Sequence, residues 1–114
     1  MALPEFTKVQ IDIILKDFAN TRIPPHVRNE VQFVHTVGGN AVTLFESRPA
    51  WDNPTEWIKI PVAKFRYNLT KKAWTLYYCD RNSKWHLYRE TKSNQTFAKL
   101  LAEVDSDPTG IFWG

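Results

Sequence analysis

The stretch WTLYYCDRNSKWHLYRE, residues 74–90, decides the fold, because it reads as two strands folded around one tight turn. Asn82 and Ser83 are turn-forming residues, and large apolar side chains alternate with polar ones on either side. The pairing register depends on the loop length. A two-residue loop at Asn82-Ser83 pairs Arg81 with Lys84, Cys79 with His86 and Tyr77 with Tyr88. One face then carries Trp74, Leu76, Tyr78, Trp85 and Leu87, an apolar set predicted to lie under helices. The other carries Thr75, Tyr77, Cys79, Lys84, His86 and Tyr88, a polar-aromatic set open to a partner. A three-residue loop pairs Tyr78 with His86 instead and mixes both faces. A one-residue slip moves every side chain to the opposite face, so the cleaner division is the expected one. Asn82 also suits a left-handed position at the start of a two-residue loop.

Working outward, residues 57–67 and 41–48 read as strands before this hairpin. Ala63, Phe65 and Tyr67 alternate with Lys64 and Arg66, and Pro61 points to an edge or a bulge. Gly38-Gly39-Asn40 joins residues 41–48 to a first strand beginning at Val27, with Val27, Val31, Phe33 and Val37 in one parity. RPAWDNPTEW, residues 48–57, is a loop on its prolines and its Asp-Asn pair.

Helices flank the strands. Ile11, Ile14, Leu15 and Phe18 have the i, i+3, i+4, i+7 spacing of one buried stripe within residues 5–20. Phe6, Val9 and Ile13 widen that stripe and predict a helix set well into the fold. Thr7 with Gln10 offers a capping box, and Pro24-Pro25 ends the helix. Phe97, Leu100, Leu101 and Val104 repeat the template, with Ser93 or Asn94 as cap. Asp107-Pro108-Thr109-Gly110 is a turn before an apolar Ile111-Phe112-Trp113 tail. The expected architecture is α+β: an N-terminal helix, a five-stranded antiparallel meander, and a C-terminal helix, with both helices on one sheet face and residues 1–114 forming one domain.

Composition bounds the chemistry. The 114 residues are 43% hydrophobic and 24% charged, a globular balance, with five tryptophans. The single cysteine, Cys79, cannot close an intramolecular disulfide. The amino end has no basic stretch followed by an apolar run, and no segment approaches a membrane span in length, so the reading is a cytoplasmic protein without a membrane partner. On that reading the glycosylation triplets at Asn68 and Asn94 are chance matches. Net charge is +3 but uneven: residues 56–92 carry nine basic against three acidic side chains. That segment is where an anionic partner is felt, unless its charges are simply a solvated sheet face.

Candidate sites follow from residue types. His26, His35, His86 and Cys79 lack metal-ligand spacing, so no metal and no cofactor is expected. Cys79 with His86 would meet across the hairpin as a thiol–imidazole pair, and His86 with a carboxylate would suit a hydrolase. The leading reading is non-enzymatic. Rings interleaved with lysines and arginines are what unpaired bases and their phosphates require, so single-stranded nucleic acid is the first candidate partner. Arg66, Tyr77, Lys84, His86 and Tyr88 are its candidate residues. The second is a protein partner or a homodimer, through the aromatic face or the C-terminal tail.

The pieces HVRNEV (26–31), LFESRPAW (44–51), AKFRY (63–67), WTLYY (74–78), KWHLY (84–88) and DPTGIFWG (107–114) together resemble a domain-of-unknown-function family of small, mostly bacterial proteins. The resemblance spans nearly the whole chain and implies no reaction, ligand or partner. Arg28, Arg48 and Trp51 lie in these pieces without being needed by a core, and they join the candidate binding residues. An ion pair of Arg48 with Glu46 or Glu56 is the architectural alternative.

Overall fold

Asp80 sets the turn on which the sheet register depends. In the computed structural model, which describes residues 2–91 and 96–113, its carboxylate accepts the backbone N–H groups of Asn82 (2.8 Å) and Lys84 (2.9 Å). Its own N–H donates to the Lys84 carbonyl at 2.8 Å. Asp80 therefore faces Lys84 across a three-residue loop, and Ser83 takes the left-handed position at φ 62°. The strands are β4 (Ala73–Cys79) and β5 (Trp85–Leu87), with Tyr77 opposite Leu87, Tyr78 opposite His86 and Cys79 opposite Trp85. This corrects the expected two-residue loop by one residue. Trp85 and Leu87 move to the face of Tyr77 and Cys79, and His86 moves to the face of Tyr78. Tyr88, expected on the open side, is buried in the core.

The other strands are β1 (Gln32–Gly38), β2 (Ala41–Pro49) and β3 (Trp57–Asn68). All five are antiparallel in the order β1-β2-β3-β4-β5, the expected meander. The first strand starts later than expected because Pro25–Val27 is a 3-10 turn, and the Val27 carbonyl accepts the N–H groups of Glu30 and Val31. Pro61 marks the expected bulge: Leu44 faces Ala63 and Phe45 faces Pro61, leaving Val62 unopposed. Val62 and Ala63 can then both be buried.

Helices α1 (Glu5–Arg22) and α2 (Phe97–Ser106) lie on the same side of the sheet. Phe65, Trp74 and Leu76 meet Phe97, Leu100 and Val104 there, with the Phe65 and Phe97 rings 4.5 Å apart. From α1 come Ile11 and Leu15, with Ile14 and Phe18 packed beside them. The helix is less deeply set than expected: Phe6 is 73% exposed, and Val9 and Ile13 face outward too. Its N-cap is Pro4, so the Thr7–Gln10 box is not used. The expected caps of the second helix, Ser93 and Asn94, lie outside the described residues. The cap is Thr96, whose hydroxyl accepts the Lys99 N–H.

The C-terminal tail folds back on the helices. Asp107, at φ 44°, ends α2, and its carboxylate accepts the N–H groups of Phe112 (3.1 Å) and Trp113 (2.9 Å). The Trp113 indole donates to the Val104 carbonyl at 2.7 Å. Arg22, at the end of α1, stacks 4.3 Å above the Trp113 ring and pairs with Asp105. Phe112 and Trp113 are thus built into the fold and are not free for association. No helix of the described residues is long and apolar enough to cross a membrane.

Candidate nucleic-acid interface on the open sheet face

Strand parity decides which side chains point away from the helices. Lys64 faces Thr43 on β2 and Tyr77 on β4, and Arg66 faces Thr75. Tyr77 in turn faces Leu87, and Cys79 faces Trp85. These residues form one surface, and no second layer covers it among the described residues. Rings and cations pair on it three times. The Arg66 guanidinium lies 5.3 Å from the Tyr77 ring, the Lys64 ammonium 4.8 Å from Trp85, and the Lys59 ammonium 5.9 Å from Phe45. Lys59, Lys64 and Arg66 run along one strand, a basic stripe on the order of 20 Å long at the rise of an extended chain.

At one end of the stripe a cleft of about 340 Å³ opens beside the β3–β4 turn. Asn40, Arg66, Asn68, Thr70, Thr75 and Tyr77 line it. Its walls are held from behind: the Asn40 amide donates to the Tyr67 carbonyl at 2.9 Å, and Asn68 accepts the Lys71 N–H at 3.0 Å. The cleft therefore offers a guanidinium, two threonine hydroxyls and a ring face, a set able to hold a phosphate and a stacked base.

Of the candidate residues, Arg66 and Tyr77 come together on this face. Lys84 lies at the exposed hairpin turn. His86 projects from the opposite face, stacked on Tyr78 with centroids 5.3 Å apart. Its Nε2 hydrogen-bonds Asp80 at 2.7 Å. That bond, followed by the Lys84 N–H, holds the Asp80 carboxyl below the ordinary carboxylate value. Tyr88 is only 3% exposed; its hydroxyl donates to Glu103 at 2.5 Å and its ring packs on Phe112. Arg28 lies in the turn after α1 and donates to Asn20 at 3.1 Å. Arg48 is on the helix side, paired with Glu46 as in the architectural alternative. Trp51 stands at the tip of the β2–β3 hairpin, 94% exposed. Arg28, Arg48 and Trp51 are thus not part of the Arg66–Tyr77 surface.

The thiol–imidazole pair is excluded by register, since Cys79 and His86 emerge on opposite faces. Burial, then the neighbouring Asp80 carboxylate, pushes the Cys79 thiol up, which keeps it protonated. His86 does have a carboxylate within reach, but Asp80 is already engaged with two backbone N–H groups of the turn. No group of three or more His, Cys, Asp or Glu side chains is placed to hold a metal among the described residues. Sequence reasoning missed Trp85, which it assigned to the core, and did not single out Lys59, Lys64 and Phe45. The parity of Lys64 with Arg66 was the available signal for the stripe.

Two helices on one side of an open antiparallel sheet, with cation–ring pairs on the other, define a small α+β protein with a basic aromatic face. The chain belongs to the DUF3024 family, a domain of unknown function, whose model matches residues 3–114. Comparison with curated proteins and with solved structures finds no match.

Proposed function

We propose that this protein is a non-enzymatic binding module that takes single-stranded nucleic acid on its open sheet face. The observation that supports this reading is the set of three cation–ring pairs along Lys59, Lys64 and Arg66. An exposed cation–π pair contributes about 0.5–1 kcal/mol, whereas a base stacked on an aromatic side chain contributes about 1–3 kcal/mol. A base can therefore displace the cation from its ring, and the freed cation moves to the adjoining phosphate. Stacking is available to every base, so the reading predicts weak sequence preference.

Fluorescence anisotropy of a labelled mixed-sequence single strand tests it. With about three phosphates neutralised, log affinity falls with log salt at a slope of about −2. Trp85→Ala or Tyr77→Ala lowers affinity about tenfold, the loss of one stacked base. Arg66→Gln lowers affinity and flattens the salt slope by about 0.7. Absence of binding at low salt contradicts the proposal. A second reading, a protein partner, is favoured by the outward row of Phe6, Val9 and Ile13 on α1. Capture of a partner that is lost on Ile13→Lys, with strand binding absent, supports it.

A further inference from the structure

β3 is twelve residues long, but only part of it has two neighbours. β2 pairs with it from Trp57 to Arg66, whereas β4 pairs only from Ala63 to Asn68. The second edge of Trp57–Val62 has no strand beside it among the described residues. Every residue from Trp51 to Ile60 is exposed. Among them are Trp57, Ile60 and Ile58, the last 47% exposed. Ile58 and Ile60 point to the helix side, and Trp57 and Lys59 to the open side. A free strand edge with apolar side chains on both faces is a template for another strand.

We propose that Trp57–Ile60 is a self-recognition edge, on which two copies pair β3 against β3 antiparallel and join their sheets. The choice of a second copy rests on symmetry and charge. An antiparallel edge is self-complementary about a two-fold axis perpendicular to the sheet, and that axis brings like faces together. Centred on Ile58, it sets Ile58 against the partner's Ile58 on the helix side. On the open side it sets Trp57 against the partner's Lys59, twice, an attractive ring–ammonium contact. Centred on Lys59, it would oppose two ammonium groups. Centred on Trp57, it would set Trp57 against Trp57 and leave Lys59 facing threonine, without the ring–ammonium contact; Glu56 faces an isoleucine in either register. Pro61 has no N–H to give, so pairing ends there and the assembly closes at two copies. Three directly paired residues a side, Trp57–Lys59, make an interface below the standard size, hence a dimer that forms and dissociates with concentration.

Sedimentation equilibrium of the intact protein tests this, with dissociation expected on the order of 0.1–1 mM. Ile58→Lys, a change at an exposed position, keeps the circular dichroism spectrum and gives a monomer throughout that range. In a Cys79→Ala background, Ile58→Cys cross-links under mild copper-catalysed air oxidation. Residues on the two-fold of an antiparallel pair lie about 4.5–5.5 Å apart at Cβ, near disulfide geometry. It does so at least tenfold faster than Phe6→Cys in the same background, by analogy with the ratio expected for an oriented pair. A wild type that stays monomeric at about 1 mM overturns the proposal, as does a dimer that survives Ile58→Lys or equal cross-linking of the two cysteines. Lys59 belongs to both surfaces, but Ile58→Lys leaves the nucleic-acid face in place, since Ile58 points away from Lys59, Lys64 and Arg66.

Discussion

Tyr88 shows what one side chain decides. Its ring fills the space between the sheet and the C-terminal tail, and its hydroxyl reaches Glu103. Tyr88→Phe keeps the ring and removes that hydrogen bond, with an expected loss of about 1 kcal/mol in denaturant unfolding. Tyr88→Ala empties the site and costs about 3–5 kcal/mol, which makes it unsuitable as a probe of binding. Burial first, then the hydrogen bond and charge of Glu103, push the phenol from 10.0 up to about 12. A raised value means stability that is complete below the unfolded-state value and is lost as pH rises through the folded one. A phenolate absorbance titration is therefore expected to show a late step near 12 for Tyr88, with stability declining between 10.0 and about 12. Tyr88→Phe removes the late step. A titration without that late step would contradict this placement.

Among the elements, the 80–84 turn sets the register of the outer hairpin. Ser83 stands at φ 62°, where a side chain is strained, so Ser83→Gly is expected to stabilise by about 0.5–1 kcal/mol in thermal or denaturant unfolding. The Asp80 carboxyl is held below its ordinary 3.8, first by His86 and then by the Lys84 N–H. Its contribution is present above 3.8 and is lost as pH falls through the depressed value. Hydrogen exchange at the Asn82 and Lys84 amides should therefore lose protection on acidification, and Asp80→Asn should remove that pH dependence; unchanged protection would contradict the turn described. The extent of β4, the bulge at Pro61 and the two helices were legible in the sequence, because spacing and proline act locally. The register of β5 was not. Slippage is penalised where a face must be buried, and the helices bury Trp74 and Leu76 on β4 rather than the outer strand. There the reach of the Asp80 carboxylate to Asn82, Lys84 and His86 governs, and composition fits either loop.

For the whole molecule, part of the charge excess of residues 56–92 becomes a surface because Lys64 and Arg66 alternate on β3 and the bulge at Pro61–Val62 brings Lys59 onto the same face. The legible part of the candidate site was Arg66 and Tyr77, each on a strand already paired in the expected sense. Trp85 depended on the hairpin register and so was assigned to the wrong face. Single-stranded nucleic acid is proposed to meet the protein on the Lys64–Arg66 face. The most direct measurement is a nuclear magnetic resonance titration of the five tryptophan indole N–H signals with a short single strand at low salt. The Trp85 signal is expected to shift and to return when salt is raised, while buried Trp74 and the Trp113 indole bonded to Val104 stay in place. Five unmoved signals, or movement of Trp74 and Trp113 with Trp85 unchanged, would contradict it.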